Sequence, residues 1–232
     1  MSTESVSARP AGSVLYQAAA WVVTLLVPVA LVLTGVRLMM NGTFLRIEYN
    51  MPGFPADPYG FSTEDRLYWS QIALDYLLND EGIDFLGDLR FENGEPVYNE
   101  RELRHMVDVK VTVQAALRVW IASLALLLLL GLWARLGGWW PAFLHGLGRG
   151  GWLTVLMIAF ILLFVLLAFG VFFVAFHNVF FAPGTWTFLW SDTLIRLFPE
   201  RFWRDIFIYV GLIALIGGLA LGFGLRRRSS AA

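Results

Sequence analysis

The stretch "RELRHMVDVKVTVQAALRVWIASLALLLLLGLW", residues 101–133, decides the fold. Its first ten positions carry Arg101, Glu102, Arg104, His105, Asp108 and Lys110. From Val111 to Trp133 the only ionisable residue is Arg118. An α-helix rises 1.5 Å per residue, so an apolar run of about 20 residues covers about 30 Å, the hydrocarbon thickness of a bilayer. The run 111–133 therefore reads as a membrane-spanning helix with a charged doorstep. Arg118 stands about two turns inside it, where a long side chain can snorkel or enter a protein-lined site.

Working outward, three more runs have the same character: 14–36, 152–176 and 206–225. The chain of 232 residues is 58% hydrophobic and 15% charged, too apolar for a soluble domain of this length. A net charge of −1 gives no reason to expect nucleic acid. The absence of cysteine excludes disulfides, thiolate nucleophiles and zinc–thiolate sites. The first run ends in "LVLTG", like the approach to a bacterial lipoprotein cleavage site. Val36 follows where such a site needs cysteine, so the run is expected to stay as an anchor.

Charge sets the expected orientation. The tail carries Arg226, Arg227 and Arg228, the 134–151 connection carries Arg135 and Arg149 with no acid, and the N-terminal tail carries Glu4 and Arg9. These three segments are expected in the cytoplasm. The 37–110 segment, with 14 acids against 7 bases, and the 177–205 segment then face outward. Within 37–110, "FSTEDRLYWSQIALDYLLND" opens with a capping-box pattern, Ser62 to Asp65. It predicts a helix with Leu67, Ile72, Leu74, Leu77 and Leu78 apolar. "MPGFPADPYG" (51–60) reads as irregular chain. "LRFENGEPVY" (89–98) places Asn93-Gly94 between alternating segments and predicts a hairpin. "NERE" (99–102) is a second capping box, starting a helix near Glu100 that runs into the second span.

The expected fold is an all-α membrane protein. One integral membrane domain, 1–232, holds a four-transmembrane-helix bundle with a small mixed α/β extracytoplasmic domain, 37–110, inserted between helices 1 and 2. "GLGRGG" (146–151) reads as a turn, "GWW" (138–140) as part of an interfacial aromatic belt, and "SDTLIRLFPERFWRD" (191–205) as an amphipathic helix along the outer surface. On that helix Leu194, Ile195, Phe198 and Phe202 would face lipid or protein, with Arg196 and Arg201 nearer headgroups.

A helix starting near 100 puts Arg101, His105, Asp108 and Thr112 on one face. Asp108 could fix the tautomer of His105, or the charges could simply cap a span and grip headgroups. "AFHNVFFAPGTWTF" (175–188) places His177 just past the outer end of the third span, at the depth expected for His105. Two imidazoles there suit paired proton transfer. They could also bind a metal with Asp108, although no HExxH spacing is present. His145, in the inner connection, is given no role. GxSxG elbows, P-loops and Rossmann glycine patterns are missing.

"ELRHMVDVK" before the second span, "FHNVFF" followed by tryptophan after the third, and "LFPERFWRD" before the fourth resemble the bacterial integral-membrane family that contains lipoprotein intramolecular transacylase, Lit. The resemblance runs over most of the chain. It implies an enzyme of the bacterial cytoplasmic membrane, with both termini in the cytoplasm and the active site at the outer leaflet. Its partners would be membrane lipids and the N-terminal diacylglyceryl cysteine of lipoproteins. The sn-2 acyl chain would move to the α-amine of the same cysteine, giving the lyso-form lipoprotein, with no cofactor and no metal. The resemblance assigns catalysis to His105 and His177, with Asp108, Lys110 and Asn178 as candidates to orient them or to stabilise an oxyanion. Rival readings are a non-enzymatic envelope scaffold, and an acyltransferase or lipid hydrolase using the same pair on another substrate. A metal-dependent hydrolase, unlike these, would respond to chelators.

Overall fold

A computed structural model describes residues 11–229, with side chains from Val14 to Leu225. Glu4 and Arg9 lie outside the described residues, as do the side chains of Arg226, Arg227 and Arg228. The described chain is helical: α1 (Ala11–Met39), α2 (Gly42–Tyr49), α3 (Thr63–Leu78), α4 (Asp84–Gly87), α5 (Glu100–Leu136), α6 (Trp140–Phe180), α7 (Thr193–Leu197) and α8 (Glu200–Ser229). Four of these, α1, α5, α6 and α8, are long and apolar enough to cross a membrane. The protein is a multi-pass integral membrane protein.

The helix starts follow the capping chemistry. Ser62 accepts from the Asp65 amide at 3.0 Å while the Asp65 carboxylate accepts from the Ser62 amide at 2.8 Å. Asn99 and Glu102 exchange the same pair of bonds at the start of α5, at 3.1 and 2.8 Å. Each reciprocal pair satisfies amides that the first helical turn leaves open. The other end of α5 closes on Gly138, whose φ of +75° is the left-handed conformation favoured by glycine, while the Trp139 amide donates back to Ala134 O at 3.1 Å.

The expected α/β insert is corrected to a helical one. No strand forms among the described residues, and 89–98 makes a single antiparallel bridge, Arg90 to Pro96. The turn itself is present: Gly94 has φ +84°, and Phe91 N donates to Glu95 O at 2.8 Å. Val97 N donates to Leu89 O at 3.1 Å, and beyond that bond the pairing stops as Val97 and Tyr98 bury among helices.

The chain divides into two compact units. The first comprises the described parts of 1–32, 120–159 and 212–232. Its core is Ala19, Val23, Val27, Ala134, Trp139 and Phe143. Trp139, expected in an aromatic belt, packs within the protein: it is 3% exposed and stacks on Tyr16 with centroids 5.7 Å apart. Nor is 146–151 a turn. It lies inside α6, where the glycines let backbones touch. A Cβ on Gly150 would stand 2.6 Å from Val27 Cβ, and one on Gly151 would stand 2.6 Å from Gly218 O. Small residues at such a crossing replace the hydrophobic drive that helices lack in lipid.

The second unit comprises 33–119 and 160–211. One core joins Ala73, Tyr76, Leu86, Val97, Tyr98, Met106, Leu194 and Leu197; another joins Phe44, Leu45, Tyr49 and Phe202. The helix expected at 61–80 forms as α3, but its fully buried face is Arg66, Ser70, Ala73 and Tyr76 rather than the leucine positions. Arg66 lies there with one guanidinium N–H donating to Pro55 O at 2.6 Å and the group 5.4 Å from the Phe54 ring. The single amphipathic helix expected at 191–205 is broken between α7 and α8. Phe198 has φ −118°, ψ 67°, because Pro199 disfavours helical geometry in the residue before it. Leu194, Leu197 and Phe202 bury in protein, Arg196 pairs with Asp57 at 2.9 Å, and Arg201 pairs with Asp205 at 2.7 Å.

Glu48 of α2 is fully buried in this unit. Burial, and then the nearby Asp205 carboxylate, push it up from 4.5 to about 7. The folded state then holds a proton that the unfolded chain releases. Stability therefore falls as pH rises from the ordinary carboxylate range through about 7, and is level above that. Glu48→Gln should raise the thermal midpoint of the purified protein at pH 8 and leave it nearly unchanged at pH 4.5. A variant less stable than the parent at pH 8 would contradict the buried charge.

Candidate active site

His105 owes its place to the start of α5. The Asn99–Glu102 cap fixes the first turn, and one turn later the same face carries His105 and Met106, which are 8% and 4% exposed. The expected companion on that face, Asp108, is exposed, and its backbone carbonyl accepts from the Thr112 hydroxyl at 2.9 Å. His177 comes from the last turns of α6 and is 7% exposed. Its Nδ1 lies 2.8 Å from Phe173 O, one turn back. A carbonyl oxygen only accepts, so Nδ1 carries the proton and Nε2 of the neutral ring keeps its lone pair.

The two imidazoles are neighbours, with ring centroids 6.5 Å apart and planes 24° apart. Imidazoles joined by one hydrogen bond hold their centres within roughly 5–6 Å. At 6.5 Å the rings do not bond each other.

Aromatic side chains enclose the pair. Phe181 meets His105 edge-on at 4.9 Å and Phe188 does so at 5.3 Å. Phe173 and Trp186 lie 4.0 and 4.7 Å from His177. Two ring nitrogens in this apolar surround, His105 Nδ1 and Trp186 Nε1, are buried with no hydrogen-bond partner.

Phe181, Trp186 and Phe188 belong to the non-helical segment after α6, and two carboxylates hold that segment. Glu102, 1% exposed, accepts from the Asn99 amide with one oxygen and from the Leu194 amide with the other, at 2.7 Å. Asp192 accepts from the Leu189 amide at 2.8 Å, the Asn99 side-chain amide at 3.0 Å and the Arg101 guanidinium at 2.7 Å. Arg101, expected on the histidine face, thus serves the clasp, with its guanidinium 5.8 Å from the Phe188 ring.

Of the residues singled out in the sequence, the structure brings His105 and His177 together. Asn178 is exposed. Lys110 donates to Asn79 Oδ1 at 2.9 Å and Glu81 O at 2.6 Å and lies over the Tyr76 ring. His145 is exposed in the other unit. Among the described residues no three His, Asp or Glu side chains converge as a metal site would require. Sequence reasoning missed Glu102 as a clasp, because its pairing with Leu194 spans 92 positions. It also missed Trp186 and Phe188, whose only signal was the aromatic density of "FFAPGTWTFLW" directly after His177.

Removing the Glu102 carboxylate should loosen both ends at once. Glu102→Ala leaves the buried Leu194 amide unpaired, which costs about 1–3 kcal/mol, and frees the part-buried Asn99 amide as well. The thermal midpoint should drop by several degrees, and the Leu194 amide should lose hydrogen-exchange protection. An unchanged exchange rate at Leu194 would show that the clasp does not hold the segment.

Residues 21–203 match the family of lipoprotein intramolecular transacylase Lit. A protein of Aquifex aeolicus (strain VF5), described only as uncharacterized, is 29% identical over 196 residues, 81% of this chain and 83% of its own. The in meso structure of the membrane integral lipoprotein intramolecular transacylase Lit from Bacillus cereus aligns with a TM-score of 0.71 at 18% identity, over 95% of this chain and 100% of that one. A variant of the same protein with one histidine replaced by alanine gives 0.70 at 19% identity, over 95% and 98%. At such identity the structural likeness shows a shared fold, while the sequence match covers most of the chain. The chain belongs to the family of lipoprotein intramolecular transacylase Lit, a family of enzymes.

Proposed function

We propose that this enzyme moves the sn-2 acyl chain of a diacylglyceryl-cysteine lipoprotein onto the α-amine of the same cysteine, with His105 and His177 handling the protons. The observation that carries this reading is the pair of buried imidazoles, 6.5 Å apart and not bonded to each other.

The chemistry needs two proton acceptors. A primary ammonium that becomes a secondary amide loses two protons. One must reach the departing glyceryl oxygen, and the other leaves for water. His105 takes the ammonium proton and later gives it to the glyceryl oxygen. His177, through Nε2, takes the proton shed by nitrogen as the amide forms. Its Nδ1 bond to Phe173 O supports this role, since it leaves Nε2 as the accepting nitrogen. The amine and the ester belong to one molecule, so holding them together supplies much of the rate. The aromatic enclosure keeps water, which would hydrolyse the ester, out of competition.

The orientation follows charge: spans near 14–36, 111–133, 152–176 and 206–225, with both termini in the cytoplasm. The insert 37–110 and the histidine pair then lie at the outer leaflet of the cytoplasmic membrane, where the lipid anchor of a lipoprotein resides. The partners are the lipoprotein N-terminus and membrane lipids, and the proton transfers need no cofactor. Asp108, Lys110 and Asn178 act outside the pair: Lys110 ties α5 to the end of α3, and the other two face solvent or headgroups.

A reporter lipoprotein expressed in a bacterium that leaves diacylglyceryl lipoproteins with a free amine tests this reading. Mass spectrometry of its N-terminal lipopeptide should show one acyl chain on nitrogen, at unchanged total mass, only when the intact protein is present. His105→Ala and His177→Ala should each lower the conversion rate by about 10²–10⁴-fold, the usual worth of a general acid or base. Conversion undiminished in either variant would remove that histidine from the mechanism.

A further inference from the structure

We propose that the indole N–H of Trp186 is the donor that stabilises the tetrahedral oxyanion of this acyl transfer. The inference deepens the transacylase reading and rests on it. Acyl transfer develops negative charge on the carbonyl oxygen, and a fixed donor aimed at that oxygen is commonly the largest single catalytic contribution. The polar side chains the sequence offered for this role are committed elsewhere: Lys110 to Asn79 and Glu81, and Asn178 to the surface.

Trp186 is placed where they are not. Its ring lies 4.7 Å from the His177 ring with the planes 35° apart, and 6.4 Å from Phe173, whose carbonyl fixes the His177 tautomer. Its Nε1 is buried and has no acceptor. An indole nitrogen only donates, and leaving such a donor buried and unpaired is destabilising. A second indole N–H, on Trp139, is also buried and unpaired, but its ring neighbours are Tyr16, Trp133 and Phe143 in the other unit. The unpaired donor of Trp186 stands beside the proposed base. A carbonyl attacked by an amine at His177 would therefore have this indole as a neighbouring donor.

The step balances within the substrate. As the amine nitrogen bonds the carbonyl carbon, the C=O π pair moves onto oxygen, and Trp186 Nε1–H donates to it. When that pair returns, the carbon–glyceryl oxygen bond breaks. The glyceryl oxygen takes the proton held by His105, and His177 takes the one from nitrogen. The indole N–H is unchanged at the end.

The test replaces Trp186 with 3-benzothienylalanine, which keeps the two-ring shape and puts sulfur in place of N–H, alongside Trp186→Phe. Conversion of a synthetic diacylglyceryl peptide is timed with the detergent-solubilised full chain. Both variants should lose about 10²–10³-fold in kcat, the cost of one oxyanion donor, with the isostere's KM within roughly threefold of the intact enzyme's. An isostere that turns over within roughly threefold of the intact enzyme overturns the inference and leaves Trp186 a packing residue. No product from the intact protein overturns the transacylase reading and this inference with it. Product from the intact protein, undiminished in the isostere, overturns this inference alone.

Discussion

Glu102 accepts two backbone hydrogen bonds, one from Asn99 and one from Leu194, and the candidate site hangs on that carboxylate. The first bond starts α5 and so sets the register that turns His105 inward. The second pins the end of the segment that brings Phe181, Trp186 and Phe188 over the histidines. A neutral side chain could cap the helix alone. An acid with both oxygens engaged does both jobs, and the charge-assisted bonds are stronger than neutral ones. Asp192 repeats the device from the opposite side, since it binds Leu189 within its own segment and Asn99 and Arg101 on α5.

The helical frame was legible because its signals are local. Apolar runs long enough to span and two capping boxes can each be read in a short window, and α3 and α5 begin within a residue or so of where the caps put them. The misreadings were cases where a distant partner overrode a local signal. Asn93-Gly94 turns the chain as expected, but the pairing stops after one bridge and Val97 and Tyr98 are drawn into a helical core. The glycines of 146–151 look like a turn until Val27 and Gly218 are seen pressing against them. In α3 the buried face runs through Arg66 and Ser70, where Pro55 O accepts one N–H of a guanidinium that hydrophobicity alone would send to solvent.

The histidine pair lies between these cases. Each histidine can be seen in the sequence at a span boundary, and the expected orientation puts both on one side. Their 6.5 Å separation is a tertiary fact, as is the aromatic enclosure. Trp186 and Phe188 resembled the general tryptophan and phenylalanine richness of a membrane protein, and only their contact with imidazoles sets them apart. The enclosure also suits the chemistry: a dry surround weakens competition from water and makes each well-aimed proton donor or acceptor count for more.

The claim that both reacting groups belong to one lipoprotein is tested most directly by a crossover measurement. Two synthetic diacylglyceryl peptides are mixed with the purified enzyme, one carrying a heavy sn-2 acyl chain and a heavy peptide, the other unlabelled. Mass spectrometry of the products should find the heavy chain only on the heavy peptide and the light chain only on the light one. Heavy chains on light peptides would mean transfer between molecules, and free fatty acid in place of N-acyl product would mean hydrolysis. Either result would contradict the account.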